Sequence, residues 1–198
     1  MNALATTFRR AAAVTLGALA VLPPIASAAW QDAGTIELVQ RLDRPQDGYC
    51  IDIAGSGPWI DLTVPVSAHN CKRDAVYADQ AAAHDATTGR IRFPAFNVCL
   101  TALGRAGRSL AQMPLMVRPC AEDVDTRRTP FIAASLQAFV HRADGRLELR
   151  DSGLCLAVGR ESSTTFSADD KWRALFLERC DRAPAALSVW RKGARSGG

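Results

Sequence analysis

Apolar and variable positions alternate around three cysteines, Cys50, Cys99 and Cys155. The residues one position before each cysteine, and one and three positions after it, are apolar or aromatic in all three places. A period of two is typical of a strand with one buried face. The pattern therefore predicts a half-buried strand through each of these cysteines.

A second alternating stretch leads up to Cys71, Cys120 and Cys180. The positions three and five residues before each cysteine are apolar: Ala68 and Val66, Val117 and Leu115, Leu177 and Leu175. The positions between them vary, as they do on the free face of a strand. We expect a second strand to end at each of these cysteines.

The two sets of cysteines keep nearly constant spacing: Cys50 to Cys71 and Cys99 to Cys120 are 21 positions, and Cys155 to Cys180 is 25. A period near 50 residues indicates a repeat architecture. We expect copies at about 36–84, 85–133 and 134–191, with 131–140 as an insertion that forms a longer strand or a packed loop. Two further anchors are predicted in each copy, Leu42, Ile91 and Leu147 before the first cysteine and Ala82, Phe131 and Trp190 after the second.

Six cysteines allow 15 pairings, and the repeat favours one of them. Each copy is expected to close its own bond, Cys50–Cys71, Cys99–Cys120 and Cys155–Cys180. Turn residues are dense and helix signals are scarce, which is typical of an all-β barrel or sandwich. Three copies predict a pseudo-threefold closed barrel, since closure leaves no open sheet edge.

The N-terminus has the features of an export signal. Arg9 and Arg10 precede an uncharged apolar run, and Ala26-Ser27-Ala28 matches a cleavage site. We expect 1–28 to be removed and the protein to be secreted or periplasmic, with no membrane span, because the run is too short for an anchor. Without the two arginines the net charge falls from +4 to +2, too balanced to predict nucleic-acid binding. Residues 192–198 are expected to be a disordered tail.

The order of strand, C-[ILV]-x-apolar, turn, second cysteine and Q-x-W-like anchor, three times over, resembles the ricin B-type lectin family. The resemblance covers about residues 36–191 and implies a β-trefoil. It also implies a glycan ligand, with a galactose-type sugar as one candidate, and no cofactor or metal.

In that family a sugar site lies in a single copy. It uses an aspartate two residues after the first cysteine, an aromatic residue near the second, and an Asn-Gln-like pair beyond. Carried over to this sequence, the first copy offers Asp52, Asp79 and Gln80, with His69 at the aromatic position and either Trp59 or Tyr77 as a substitute from a nearby loop. A carboxylate can accept hydrogen bonds from two sugar hydroxyls, and an aromatic face can cover the apolar side of the ring.

The other copies depart from the family pattern. Thr101 and Ala157 replace the aspartate, and Arg118 and Glu178 stand at the aromatic position. We expect at most one sugar site, in the first copy. Trp172, in the lengthened loop of the third copy, is a candidate for a second, unrelated contact.

An enzyme is not expected, because His69, His84 and His141 share no metal-ligand spacing and no nucleophile motif is present. The alternative to a lectin is a trefoil that binds a protein, such as the targeting subunit of a toxin-like assembly. Exposed Met116 and Phe176, if they cluster, would favour that alternative.

Overall fold

The computed structural model describes residues 33–73, 77–125, 127–129 and 132–193. The predicted signal 1–28, the anchor Phe131 and most of the predicted tail lie outside these residues. Over these residues the chain is all-β, as predicted, with one short helix, α1 (Ala185–Ser188), and three 3-10 turns at Gly57–Trp59, Ala121–Asp123 and Ala134–Gln137.

Each copy supplies four main strands, which follow one another in the same order although their lengths differ. The first copy contains β1 (Ile36–Leu38), β2 (Tyr49–Asp52), β3 (Ser67–Asn70) and β4 (Ala83–His84). The second contains β5 (Ile91–Phe93), β6 (Val98–Ala102), β9 (Leu115–Pro119) and β10 (Phe139–His141), with the small hairpin β7 (Gly104–Arg105) and β8 (Arg108–Ser109) between them. The third contains β11 (Leu147–Leu149), β12 (Leu154–Val158), β14 (Lys171–Arg179) and β15 (Trp190–Lys192), with β13 (Ser163–Thr164) paired to β14.

The strands of the described residues form three sheets. The largest has nine strands in the order β10-β11-β12-β14-β3-β2-β1-β15, with β13 beside β14, and a four-stranded sheet runs β4-β5-β6-β9. The hairpin β7-β8 is the third. The large sheet is curled but open, so the predicted closed barrel is not confirmed. Between β9 and β14 the pairing is reduced to an isolated bridge at Pro114 and Phe176, where proline has no N–H to donate to a ladder.

The three disulfides join the predicted partners. The Cα–Cα distances are 5.0 Å for Cys50–Cys71, 5.0 Å for Cys99–Cys120 and 4.9 Å for Cys155–Cys180. Each bond joins the first long strand of a copy to the residue that directly follows the second long strand of the same copy. Removing such a bond typically lowers the free energy of unfolding by about 2–5 kcal/mol.

The first predicted anchor of copy one, Leu42, is wrong. Ile36, Ile91 and Leu147 begin the equivalent strands, while Leu42 is half-buried in a turn with φ of +52°. The first copy carries extra residues at about 39–48, between β1 and β2. The prediction places the anchor at a fixed distance before the first cysteine of each copy. Because of the insertion, this distance reaches Leu42 in copy one, although Ile36 is the equivalent residue.

The second copy's anchor is Phe139, which is fully buried. The amides of Ala82, Phe139 and Trp190 donate to the carbonyls of Gly34, Gly89 and Gly145, each at 2.8 Å. These three bonds define the equivalent position in all copies. A Cβ atom at Gly89 would lie 2.9 Å from the amide nitrogen of Phe139, so the second copy requires glycine at this position. The 131–140 stretch contains a 3-10 turn and then the start of β10.

Candidate functional site

The predicted aspartate lies at the end of β2, opposite Ser67 of β3. Its side chain is buried, and Gln80 Nε2 donates to Asp52 Oδ2 at 2.5 Å. The same amide group donates to the carbonyl of Asn70 at 3.0 Å, while Gln80 Oε1 accepts from the amide of Lys72 at 2.9 Å. Gln80 therefore fastens Asp52 to the chain on both sides of Cys71.

The second copy makes the same three contacts with different side chains. Gln137 Nε2 donates to Thr101 Oγ1 and to the carbonyl of Pro119, both at 2.9 Å, and Gln137 Oε1 accepts from the amide of Ala121 at 2.8 Å. Thr101 thus replaces Asp52, and a neutral hydroxyl performs the structural task. In the third copy Ala157 and Ser188 occupy these positions, and Ser188 Oγ bonds to the carbonyl of Pro184 instead.

The two copies also differ in charge around this glutamine. Lys72 of copy one corresponds to Ala121 of copy two, and Asp79, one residue before the glutamine, corresponds to Leu136. Asp79 is buried and forms an ion pair with Lys72 Nζ. Copy one therefore places three ionisable groups where copy two has a hydroxyl and two apolar side chains.

The electrostatics of Asp52 follow from this crowding. Burial, reinforced by the nearby carboxylate of Asp79, raises the pKa of Asp52 to about 7, although Lys72 and Gln80 act in the opposite direction. The nitrogen of Lys72 also lies 4.9 Å from the centroid of the Tyr77 ring. A carboxyl group held near its titration midpoint at neutral pH, beside a cavity, marks a candidate site.

A cavity of about 650 Å³ opens beside Asp52, between the first and third copies. Asp52, His69 and Lys72 form part of its copy-one wall, and Phe166 and Trp172 form part of the wall from copy three. His69 and Trp172 are cross-strand partners on β3 and β14. Burial lowers the pKa of His69, which favours the neutral ring.

The predicted residues therefore divide into two groups. Asp52 and His69 line the cavity, whereas Asp79 and Gln80 hold the lining residues from behind. Trp59 lies outside the lining and is 81% exposed, on a turn closed by a hydrogen bond from its own amide to the carbonyl of Ser56.

Sequence reasoning missed the copy-three wall as part of the same site. Trp172 was expected to serve a separate contact, and Phe166, which is 93% exposed, was not considered. These residues stand 114 and 120 positions after Asp52, and only the strand pairing of β3 with β14 brings them together. The available signal was the longer cysteine spacing of copy three, 25 against 21.

The copy-three wall is fastened by one carboxylate from the copy-one insertion. Asp43 accepts hydrogen bonds from Tyr49 (2.8 Å), Arg173 (2.6 Å), Lys171 (2.9 Å) and Ser162 (2.7 Å). Despite some desolvation, these donors hold the pKa of Asp43 far below its usual range. Three of the four donors lie on β14 or the loop before β13, so the two insertions are joined at Asp43.

No helix among the described residues is long and apolar enough to cross a membrane.

Neither the known family models nor the curated proteins include a match to this chain. Among solved structures it is similar to an agglutinin from Abrus precatorius, with 22% identity and a TM-score of 0.54 over 81% of this chain and 48% of that chain. It is also similar to the solution structure of the mdaA-1 domain, with 16% identity and a TM-score of 0.52 over 80% of this chain and 88% of that one. The chain thus spans about half the length of the agglutinin. At these identities the likeness shows a shared β fold.

Proposed function

We propose that the chain is a lectin-like module of ricin B-type, a β-trefoil that binds a glycan at one site, in the cavity beside Asp52. The module is proposed to act by binding and not by catalysis. Three disulfides are compatible with an oxidising compartment, and secretion or a periplasmic location is part of the proposal.

The trefoil is supported by contacts that repeat or connect the copies. The equivalent bonds at Ala82, Phe139 and Trp190 relate all three copies by one pattern. The first and second copies also meet, because Val66 N donates to the carbonyl of Leu115 at 2.8 Å. The second and third meet where the amide of Leu177 donates to the carbonyl of Met113 at 3.0 Å. With the pairing of β3 and β14, these contacts join each copy to both others, as a closed barrel requires.

The proposal rests above all on the difference between copies one and two. Both make the same glutamine contacts, so the fold does not need a carboxylate at position 52. Burying charge costs free energy unless it is fully paired. Copy one nevertheless keeps Asp52, Lys72 and Asp79 beside a cavity, whereas copy two has Thr101, Ala121 and Leu136. A ligand-binding role accounts for charges that the structure alone does not require.

The lining suits a sugar. The carboxylate of Asp52 can accept from ring hydroxyls, and the ammonium of Lys72 can donate to hydroxyl oxygens. Trp172, exposed to 38%, offers an apolar face for the C–H side of a pyranose. Aromatic and charged groups from copies one and three would then contact the same ring.

The alternative function is binding of a protein partner, and exposed Met116 and Phe176 were expected to favour it. Met116 is buried and Phe176 is only half-buried, in a bridge with Pro114. These two side chains therefore do not form an exposed apolar patch.

Glycan-array binding tests the proposal, with the oxidised protein and a variant in which copy one receives the residues of copy two. The changes are Asp52→Thr, Lys72→Ala and Asp79→Leu, a set that already packs around Gln137 in the same molecule. We expect binding to be lost in this variant and weakened about tenfold or more by Trp172→Ala.

The matched control is Trp59→Ala, which removes a more exposed tryptophan outside the cavity and should leave binding unchanged. If no glycan binds the unchanged protein, or if the triple variant binds as well as the unchanged protein, the proposal fails. A pull-down for a protein partner would then be the next experiment.

A further inference from the structure

The side chains that line the cavity change from aromatic and charged to aliphatic along the paired strands β3 and β14. His69 stands opposite Trp172, and two residues further along β3 Ser67 stands opposite Ala174. Asp52 is the partner of Ser67 on the other side. Side chains two apart on a strand share one face and are separated by about 7 Å, so aromatic and charged groups occupy this end of the cavity.

Beyond Ser67 the lining becomes aliphatic. Val64, Pro65 and Val66 enter from copy one, Pro114 from copy two and Leu175 from copy three. Val66 and Leu175 are 2% exposed and form the base, while Val64 is 38% exposed. This end of the cavity is made by all three copies and offers apolar side chains in place of hydrogen-bonding groups.

The size of the cavity also exceeds the needs of one sugar ring. About 650 Å³ lies in the middle of the range for drug-sized ligands, roughly 300–1,000 Å³. A single pyranose placed between Asp52 and Trp172 would leave the aliphatic end to water. Apolar surface in contact with water is a driving force for binding an apolar group.

We infer that the ligand is a glycoside with an apolar aglycone: the sugar binds between Asp52 and Trp172, and the aglycone binds against Val64, Pro114 and Leu175. This inference rests on the proposed function and specifies its ligand class. A short alkyl or aryl group attached at the anomeric oxygen would extend along β3 from the polar end to the aliphatic end.

Isothermal titration calorimetry with paired methyl and pentyl glycosides tests the inference. The pairs cover galactose, glucose, mannose and N-acetylglucosamine. The pentyl chain is too short to form micelles at working concentrations and has no ring to stack on Trp172. For the sugar that binds, we expect the pentyl glycoside to bind at least about tenfold tighter, because each fully buried methylene contributes roughly a factor of four.

Two valines of similar exposure provide matched variants. Val64→Ser, at the aliphatic end, should reduce the pentyl-to-methyl affinity ratio by about threefold or more. Val39→Ser changes a valine that is 41% exposed and outside the lining, and should leave the ratio unchanged. Asp52→Thr should abolish binding of both glycosides.

The outcomes separate the two proposals. If methyl and pentyl glycosides bind equally, the aglycone site is refuted and the sugar site stands. Pentyl binding that survives Asp52→Thr would be adsorption to an apolar surface, which also refutes the inference. If no methyl or pentyl glycoside binds and the glycan array is also negative, the proposed function itself fails.

Discussion

Replacing Asp52 with threonine should make the protein more stable at alkaline pH than the unchanged chain. Thr101 shows that a hydroxyl can accept the glutamine hydrogen bond in this setting. The folded-state pKa of Asp52 is about 7 because of burial and Asp79, whereas an aspartate in an unfolded chain titrates near 3.9. Between these two values the folded protein holds a proton that the unfolded chain has released.

The sign and size follow from proton linkage. When the folded state binds more protons, the free energy of unfolding decreases as pH rises. The stabilising contribution of protonated Asp52 is complete below about pH 4 and is lost as pH rises through 7. At 1.36 kcal/mol per unit, three units amount to on the order of 4 kcal/mol. Threonine does not titrate, so the variant avoids this loss.

Guanidinium unfolding with intact disulfides at pH 4 and pH 8 measures the effect. The free energy of unfolding of Asp52→Thr, minus that of the unchanged protein, should increase by about 2–4 kcal/mol from pH 4 to pH 8. Taking the difference between two pH values cancels any constant packing effect of the substitution. The reciprocal variant, Thr101→Asp, should create a pH dependence of the same sign in copy two, where burial is the cause and neither Asp79 nor Lys72 has a charged counterpart.

A change below about 1 kcal/mol between the two pH values would refute the reasoning. It would mean that the carboxylate of Asp52 is well solvated in the folded protein. The difference between Asp52 in copy one and Thr101 in copy two would then no longer support a ligand-binding role for Asp52.

Three further predictions concern the site and its support. Sugar affinity should decrease by up to about 100-fold from pH 8 to pH 5, because protonation of Asp52 removes the hydrogen-bond acceptor. Titration calorimetry at both pH values measures this change. A constant affinity would show that the carboxylate does not take part in sugar binding. Asp43→Asn should weaken sugar binding several-fold and accelerate amide hydrogen exchange at Thr165, because the copy-three wall loses its charged acceptor; unchanged exchange would show that the wall is held by other contacts. Phe139→Ala should lower the free energy of unfolding by about 3–5 kcal/mol, measured by guanidinium unfolding, and a loss below 1 kcal/mol would contradict its assignment as the second copy's anchor.

The sequence predicted those features that depend on local periodicity and on the cysteines. Alternation around Cys50, Cys99 and Cys155 located β2, β6 and β12, and the repeat identified the disulfide partners. Both signals survive insertions elsewhere, because alternation is read within a few residues and the cysteines mark each copy directly.

Anchor residues whose prediction depended on a fixed distance from a cysteine were not identified correctly. Leu42 lies eight residues before Cys50, but Ile36 fills the anchor position because the insertion at about 39–48 separates it from the cysteine. Phe139 was missed for the same reason, because the second copy is lengthened between Cys120 and Gln137. A search for glutamine two residues before an aromatic residue would have found Gln137 and Phe139.

The sequence predicts only the copy-one part of the candidate site, for a different physical reason. Asp52 is found from its own copy, but the cavity depends on the contact between β3 and β14, which no local pattern encodes. Threefold symmetry alone would place one equivalent site within each copy. The observed cavity instead takes side chains from the first and third copies, with Pro114 from the second.

The site therefore lies where the repeat is least regular. The copy-one insertion carries Asp43, the longer loop of copy three carries Ser162 and Phe166, and Asp43 joins the two. Equivalent positions in an ideal threefold repeat would be interchangeable, and no copy could differ from the others in its ligand. Because the two insertions meet beside the one copy that keeps the aspartate, the cavity lining and its support can change there without altering the shared strands or disulfides.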